Sequence, residues 1–182
     1  MNRLKRLWYH LTTTSLAARR AFTTATLAKI ETIISRGEER HCAEIRVIIE
    51  TALSFSEIMN GKTPRTRALE LFDRYQIRDT RKNTGILLYI NLSDRKIEIV
   101  TDKGIDKQIT SETWQTLCMN MSQNFREKQF HRGICHALDK MNAILPGKIH
   151  GPIFSPILLS FSDLNTKQCT LNEINQRFPD SG

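Results

Sequence analysis

The segment 83-NTGILLYINLSDRKIEIV-100 contains two apolar runs that are separated by the charged pair Asp94–Arg95. Its first run, ILLYINL, is apolar almost throughout, which is typical of a strand that is buried on both faces of a sheet. Its second run, RKIEIV, alternates apolar with charged residues, which predicts a half-exposed strand nearer a sheet edge. Because only a short turn after Ser93 joins the two runs, we expect two antiparallel neighbouring strands.

Helices and one further strand surround this pair. The β-branched stretch AEIRVIIET, residues 43–51, predicts a preceding strand. A helix starts between the strands at Thr63, the N-cap, and Pro64, the first helical residue, and strand, helix and strand in succession imply a parallel crossover. Apolar periodicity predicts further helices over about residues 24–40, 110–125 and 131–145. The predicted fold class is therefore α/β, a three-layer α/β/α sandwich with a small mixed β-sheet.

Composition divides the chain into three parts. Residues 1–23 form a basic amphipathic N-terminal arm, residues 24–145 form the α/β domain, and residues 146–182 form a C-terminal extension. The extension is rich in proline and contains one apolar piece, IFSPILLSF, that we expect to pack on the domain. The 182 residues are enough for one domain with a substantial core.

The positive charge of the chain lies mainly near its start. The net charge is +8, and residues 1–30 contain six Lys or Arg residues and no Asp or Glu. The rest of the chain is close to neutral, which argues against a nucleic-acid partner. The four cysteines form no CxxC pair and are expected to be reduced thiols, which predicts a cytoplasmic protein.

The arm begins like a signal peptide, but His10, three threonines and two arginines interrupt its apolar region. Seven residues at helical spacing form one face: Leu4, Leu7, Trp8, Leu11, Ser15, Ala18 and Phe22. With Arg3, Lys5 and Arg6 beside Trp8, this face suits adsorption to an anionic membrane surface, peripheral to the inner membrane. The same face can instead pack on the domain, and an organellar targeting peptide has a similar composition.

The predicted strand directions bring several acidic residues to one edge of the sheet. The third strand returns to the point where the second begins, and the first strand, parallel to the second, begins there as well. The expected metal ligands are Glu44, Asp79, Asp102 and Asp106, and the expected cleft-lining residues are Asn83, Gly85 and Gly104. Oxygen ligands of this kind suit Ca²⁺ or Mg²⁺, although solvated loop acids give the same pattern. Asp94 lies at the far edge, where we expect it to bond the backbone ahead of it in a tight turn.

Two blocks of the sequence resemble the TPM domain, a family named for a thylakoid-lumen protein, a photosystem II repair protein and a receptor modulator. The blocks are IRDTRKNTGILLYINLSDRKIEIVTDKGID, residues 77–106, and FREKQFHRGI, residues 125–134. The resemblance covers about residues 24–145. It implies an α/β/α sandwich, a divalent-cation site, and an acid phosphatase activity reported for the plant branch of the family.

The resemblance carries over Asp79, Asn83 and Asp106 as cleft residues, whereas Glu44 and Asp102 come from the strand geometry. Thr84 stands where the family pattern has the second Asn of N-N-G, and Asp102 stands where it has the first Gly of G-x-G. Many relatives have an export signal and a C-terminal membrane anchor, and neither is visible in this sequence.

Three functions are compatible with these patterns. The first is a divalent-cation-binding accessory or regulatory module that acts with an unidentified, membrane-associated partner protein. The alternative is a metal-assisted acid phosphatase, in which Arg78, Arg81 or Lys103 supplies a basic group opposite the metal. A purely structural interaction domain is the third, so the sequence leaves open whether the protein is an enzyme.

Overall fold

The computed structural model describes residues 3–13, 15–77 and 83–145, and the backbone of residues 157–160 and 169–170; of residues 3 and 15–17 it describes only the backbone. The described elements are, in chain order, α1 (Arg3–Thr12), α2 (Ser15–Ala21), α3 (Thr24–Glu38), β1 (Glu44–Glu50), α4 (Phe55–Met59), α5 (Pro64–Arg74), β2 (Gly85–Asn91), β3 (Lys96–Thr101), α6 (Lys103–Asp106), α7 (Ser111–Arg126), α8 (Phe130–Ile144), β4 (Ile157–Ser160) and β5 (Cys169–Thr170). The predicted helices and strands of the domain are all present, with bounds shifted by a few residues.

The sheet is mixed, with the strand order β3-β2-β1-β4-β5. Strand β1 pairs in parallel with β2 on one side and with β4 on the other, whereas β2 and β3 are antiparallel. The predicted parallel crossover and the predicted antiparallel pair are therefore confirmed. The apolar piece of the C-terminal extension supplies β4, which adds a strand that the sequence did not predict.

Helices cover both faces of this sheet. Every residue of β2 is buried, as its continuous apolar run predicted. Ile45 and Leu88 point into the core that α3, α7 and α8 cover, and Ile48 and Leu87 point into a second core under Phe72 of α5. The three-layer α/β/α sandwich is therefore confirmed.

Local capping explains where two helices begin. The Thr63 side chain accepts a hydrogen bond from the Thr66 amide at 3.1 Å, and Pro64 follows as the first residue of α5, as predicted. The short helix α4 begins with a capping box, in which Ser54 and Glu57 each bond the other's backbone amide. Helix α4 therefore lies in the connection between β1 and α5.

Helices α3 and α8 lie side by side and run in the same direction. Near their C-terminal ends, Asn142 donates to the Ile33 carbonyl at 2.9 Å, and its side chain fills the space where Gly37 has no Cβ. Near their N-terminal ends, the rings of Phe22 and Phe130 lie 5.7 Å apart. The two helices therefore begin at the same end of the sandwich.

Candidate functional site

We call the edge at which β1 and β2 begin and β3 ends the starting edge of the sheet. Glu44 pairs with Gly85 in the register of β1 and β2, and the Asp102 amide donates to the Gly85 carbonyl at 2.9 Å. A Cβ at Gly85 would lie 2.0 Å from the Ile77 carbonyl oxygen, so only glycine fits there. Glu44, Gly85 and Asp102 thus lie on three adjacent backbone segments, as the predicted strand directions require.

Asp102 is the most enclosed carboxylate of the starting edge. It is the N-cap of α6, and its Oδ1 accepts a hydrogen bond from the Lys103 amide at 2.7 Å. Only 4% of the residue is exposed, and its buried Oδ2 has no hydrogen-bond partner among the residues that the structure describes. This carboxylate therefore retains an unused acceptor away from water, which is uncommon in folded proteins.

Asp106, Asn83 and Gly104 lie beside Asp102. Asp106 is exposed and accepts a hydrogen bond from the Thr101 hydroxyl. The Gly104 amide donates to the Asn83 carbonyl at 2.9 Å, which ties α6 to the segment before β2. Asn83 has a φ of 53°, a left-handed conformation that Asn tolerates better than most residues. The predicted cleft-lining residues therefore meet at the turn that carries the two aspartates.

Glu44 is less available than the sequence suggested. Its carboxylate accepts hydrogen bonds from the Arg46 guanidinium at 2.6 and 2.9 Å, so Arg46 already neutralises it. The position of Asp79 falls within residues 78–82, which lie outside the described part of the chain, as do Arg78 and Arg81. Among the residues that the structure describes, no three of the types His, Cys, Asp and Glu lie together in a metal-binding arrangement.

Sequence reasoning missed one acidic residue near the starting edge, Glu38 at the end of α3. Both of its carboxylate oxygens are buried, and within the described part of the chain the Ile45 backbone is the one hydrogen-bonding group beside them. Burial raises the pKa of Glu38 to about 7, and the charge of Glu44 acts in the same direction. No sequence pattern marks this residue, because its burial depends on how α3 packs against β1.

We call the opposite edge, where β1 and β2 end, the finishing edge. Glu50 is 2% exposed and accepts hydrogen bonds from Arg67 at 2.8 Å and from the Tyr89 hydroxyl at 2.5 Å. The Asn91 amide nitrogen donates to the Tyr89 oxygen at 3.0 Å. Burial alone would lower the pKa of Arg67, but the bonded Glu50 raises it, while burial and Glu50 together raise the pKa of Tyr89. Each carboxylate oxygen of Glu50 therefore already accepts a hydrogen bond, and the cluster is a complete ion-pair network.

Asp94 also lies at the finishing edge, but the prediction that it bonds the backbone ahead of it was wrong. The Asn91 side chain takes that role, since its Oδ1 accepts from the Asp94 amide at 2.8 Å. Both Asp94 oxygens instead accept from the Arg6 guanidinium at 2.7 Å, and His10 Nε2 lies 3.1 Å from Asp94 Oδ1. His10 Nδ1 accepts from the Leu53 amide at 2.9 Å. Helix α1 is therefore fastened to the finishing edge.

This attachment determines which side of α1 faces outward. Arg6 and His10 point inward, whereas Leu4, Trp8 and Leu11 are 75%, 61% and 65% exposed. Further along the arm, Ala18 and Phe22 are buried in the domain. The predicted apolar face is thus divided: Ala18 and Phe22 in its second half pack on the domain, whereas Leu4, Trp8 and Leu11 in its first half are exposed.

The basic residues of the arm divide in the same way. Lys5 is exposed, Arg6 is paired with Asp94, and the Arg3 side chain lies outside the described part of the chain. Among the described helices, none is long and apolar enough to cross a bilayer.

Two solved structures share this fold. One is the NMR structure of the BA42 protein from the psychrophilic bacterium Bizionia argentinensis; it has a TM-score of 0.60 and 24% identity, and the match covers 68% of this chain and 80% of that chain. The other is the NMR structure of the N-terminal domain of a P. gingivalis protein, with a TM-score of 0.56, 14% identity, and coverage of 67% and 74%. At these identities the likeness concerns the fold alone.

Comparison of the sequence, unlike comparison of the fold, identifies the family. No curated protein matches the sequence. The model of the TPM domain matches residues 18–144, which include β1 to β3 and α3 to α8 but leave out α1. The match covers well over half of the chain and agrees with the motif blocks and with the observed fold. The chain therefore belongs to the TPM domain family.

Proposed function

We propose that this chain is an accessory or regulatory TPM-domain module that binds a divalent cation, Ca²⁺ or Mg²⁺, at the starting edge. The observation that carries the proposal is Asp102, whose buried Oδ2 has no partner in the described part of the chain. A buried acceptor without a partner costs about 1–3 kcal/mol, and a bound cation would remove that cost. The donor chemistry fits, because carboxylate oxygens are the preferred ligands of both ions.

The proposed ligands are Asp102, Asp106 and Asp79, of which Asp79 lies outside the described part of the chain. Asp102 and Asp106 flank the single turn of α6, so their carboxylates leave the same short segment. Because two carboxylates are a weak site, the proposal requires a third, and Asp79 is the residue that the family resemblance supplies. Glu44 could bind the ion only after its hydrogen bonds to Arg46 were broken, so we expect it to contribute least to cation binding.

We propose further that the protein acts at an anionic membrane surface, with a membrane-associated partner. Its support is the outward face of α1, where Leu4, Trp8 and Leu11 lie in solvent next to the exposed Lys5. A stripe with a tryptophan and a lysine suits the interfacial region of a bilayer. The Arg6–Asp94 pair would hold α1 in place so that this stripe faces away from the domain.

Thermal melting tests the cation site. We expect Ca²⁺ or Mg²⁺ to raise the melting temperature of the full chain, because a ligand of the folded state stabilises it. The shift should be lost in Asp102→Asn and in Asp79→Asn, and kept in Asp139→Asn, which removes a charge from an exposed position on α8. Asn is as good an N-cap as Asp, so Asp102→Asn preserves the start of α6. A shift that survives in Asp102→Asn, or no shift in the unmodified chain, would refute the site.

Vesicle flotation tests the membrane surface. We expect the full chain to float with vesicles that contain anionic lipid and to float less with neutral ones. Trp8→Ser should weaken this binding by about tenfold, because it removes a large apolar side chain from the contact. Met119→Ser is the matched control, since Met119 is also exposed, at 63%, but lies on α7. Equal flotation of the two variants would contradict the assignment to α1.

A metal-assisted phosphomonoesterase is the second candidate. The observation that favours it is the exposed Lys103 next to Asp102, since phosphate transfer needs a positive group near the metal. Hydrolysis of p-nitrophenyl phosphate that depends on the divalent cation, and that is lost in Asp106→Asn and Lys103→Ala but not in Lys107→Ala, would select this function. No hydrolysis above the level of the Asp106→Asn protein would reject it.

A further inference from the structure

We propose that the open cleft between the first turns of α3 and α8 binds a phosphate group, either as free phosphate or as a phosphomonoester headgroup. Nine residues line this cleft: Arg20, Ala21, Thr23, Thr26, Lys128, Gln129, Phe130, His131 and Arg132. Three of them carry a permanent positive charge, and none of the described lining residues is acidic. The cleft is therefore a concentrated positive feature on a domain whose overall charge is close to neutral.

These positive charges are not neutralised by neighbours. Arg20, Lys128 and Arg132 are exposed, and none of the salt bridges in the described part of the chain involves them. Arg132 Nη1 donates only to the neutral Gln129 Oε1, at 3.3 Å. A doubly charged anion in the cleft would thus meet three unpaired cations at once, and two of them are guanidinium groups that suit phosphate oxygens.

The backbone at the starts of α3 and α8 adds to the positive electrostatic potential of the cleft. Helices α3 and α8 each contain 15 residues, and both begin at this cleft. The α8 N-cap, Gln129, makes no side-chain capping bond, so the first-turn amides of α8 have no such acceptor. The α3 N-cap, Thr23, does accept from Thr26, at 3.3 Å. The positive ends of two helix dipoles therefore reinforce the side-chain charges.

Hydroxyl donors and a rigid frame complete the cleft. The hydroxyls of Thr23 and Thr26 lie 3.1 Å apart, and either can turn its proton toward an anion. Beneath them, the rings of Phe22, Phe125 and Phe130 pack together with centroids 5.0 to 6.4 Å apart. These rings hold the starts of α3 and α8 in place, so the donors are arranged before a ligand arrives.

The cleft is separate from the proposed cation site. Fifteen helical residues span about 22 Å, and the starting edge lies beyond the other end of α3. Phosphate binding at the cleft does not depend on a cation at the starting edge. Ca²⁺ binding can fail while phosphate binding succeeds, and the reverse also holds.

An NMR titration of the full-length protein with inorganic phosphate tests the cleft, with sodium chloride at equal ionic strength as the reference. We expect saturable shifts in the amides of residues 23–26 and 130–133. The double variant Arg20→Ala/Lys128→Ala should weaken binding by about tenfold or more. The matched control is Arg36→Ala/Lys140→Ala, which removes two exposed charges from α3 and α8 at positions away from the cleft. Shifts no larger than those from chloride, or equal weakening in both double variants, would overturn the proposal.

Vesicles distinguish the two sources of the phosphate group. Flotation with phosphatidylcholine vesicles that contain phosphatidic acid is compared for the same two double variants. A selective loss in Arg20→Ala/Lys128→Ala assigns the cleft to a lipid headgroup. Equal flotation of both, together with the selective loss of phosphate shifts, assigns it to soluble phosphate. Either result upholds phosphate binding, and the absence of both selective losses refutes it.

Discussion

Buried acidic residues have many hydrogen-bond partners at one edge of the sheet and few at the other. At the finishing edge, Glu50 is bonded to Arg67 and Tyr89, and Asp94 is bonded to Arg6 and lies against His10. At the starting edge, Asp102 has one buried oxygen that bonds to none of the described residues. Glu38, close to that edge, has two buried oxygens and no salt bridge in the described part of the chain. The same type of side chain is thus saturated at one edge and unsaturated at the other.

This difference separates structural from functional charges. A buried ion pair whose hydrogen bonds are complete fixes the geometry of the fold and has no capacity left for a ligand. A buried oxygen without a hydrogen-bond partner destabilises the folded state, and a ligand that binds this oxygen removes the destabilisation. We therefore expect changes at the finishing edge to act on stability, and changes at the starting edge to act on cation binding.

The largest expected effect is at the centre of the finishing edge. Arg67→Met leaves Glu50 buried without its cation, so the free energy of unfolding should fall by about 3–5 kcal/mol. Urea denaturation measures this change. Arg36→Met, at an exposed position on α3, should alter stability by less than about 0.5 kcal/mol. A loss below about 1 kcal/mol in Arg67→Met would mean that the network is not structural.

The attachment of α1 should give the next largest effect. Asp94→Asn removes the charge that holds Arg6, at a cost of about 2 kcal/mol, which should release α1. Hydrogen exchange of the Leu53 amide, whose acceptor is His10 Nδ1, reports this release directly. We expect at least about tenfold faster exchange, whereas unchanged protection would show that α1 stays in place without the pair.

Acid should release α1 as well. Burial alone would raise the pKa of Asp94, but Arg6 and His10 lower it to about 2, from an ordinary value of 3.8. The folded state therefore keeps the charge more firmly than the unfolded state does. The resulting stability is present above pH 3.8 and is lost as the pH falls toward 2. The protection of the Leu53 amide, taken relative to its intrinsic exchange rate at each pH, should fall over that interval in the unmodified protein and much less in Asp94→Asn.

Glu38 should give a stability effect of the opposite sign. Its folded pKa of about 7 exceeds the ordinary 4.5, so the folded state keeps a proton that the unfolded state loses between those values. Stability therefore falls as the pH rises from 4.5 to 7. At pH 8, Glu38→Gln should have a melting temperature about 5–10 °C above that of the unmodified protein, and at pH 4 the two melting temperatures should be the same. An equal gain at both values would show that Glu38 does not titrate in this way.

Much of the fold follows from local sequence patterns. The continuous apolar run before Ser93 and the alternating run after it identify a central strand and an edge strand, and Thr63–Pro64 marks a helix start. Strand directions then place Glu44, Gly85 and Asp102 at one edge. These features are predictable because each depends on residues that are close in sequence or on the direction of a strand.

The charge partners do not follow from such patterns. Arg6 and Asp94 are 88 positions apart, and Tyr89 and Glu50 are 39 apart. From sequence, Arg6 resembled a free cation of the arm and Asp94 an ordinary turn residue. The burial of Glu38 likewise depends on the packing of α3 rather than on its neighbours in sequence. Which charges are saturated is thus a property of tertiary packing.

Direct titration with Ca²⁺, repeated with Mg²⁺, in a calorimeter tests the central claim that the starting edge is a cation site. We predict saturable binding by the full chain that is abolished in Asp102→Asn and retained both in Asp139→Asn and in Asp94→Asn. The last variant changes a carboxylate at the saturated edge. Binding that persists in Asp102→Asn, or an unmodified chain that takes up neither ion, would contradict the account.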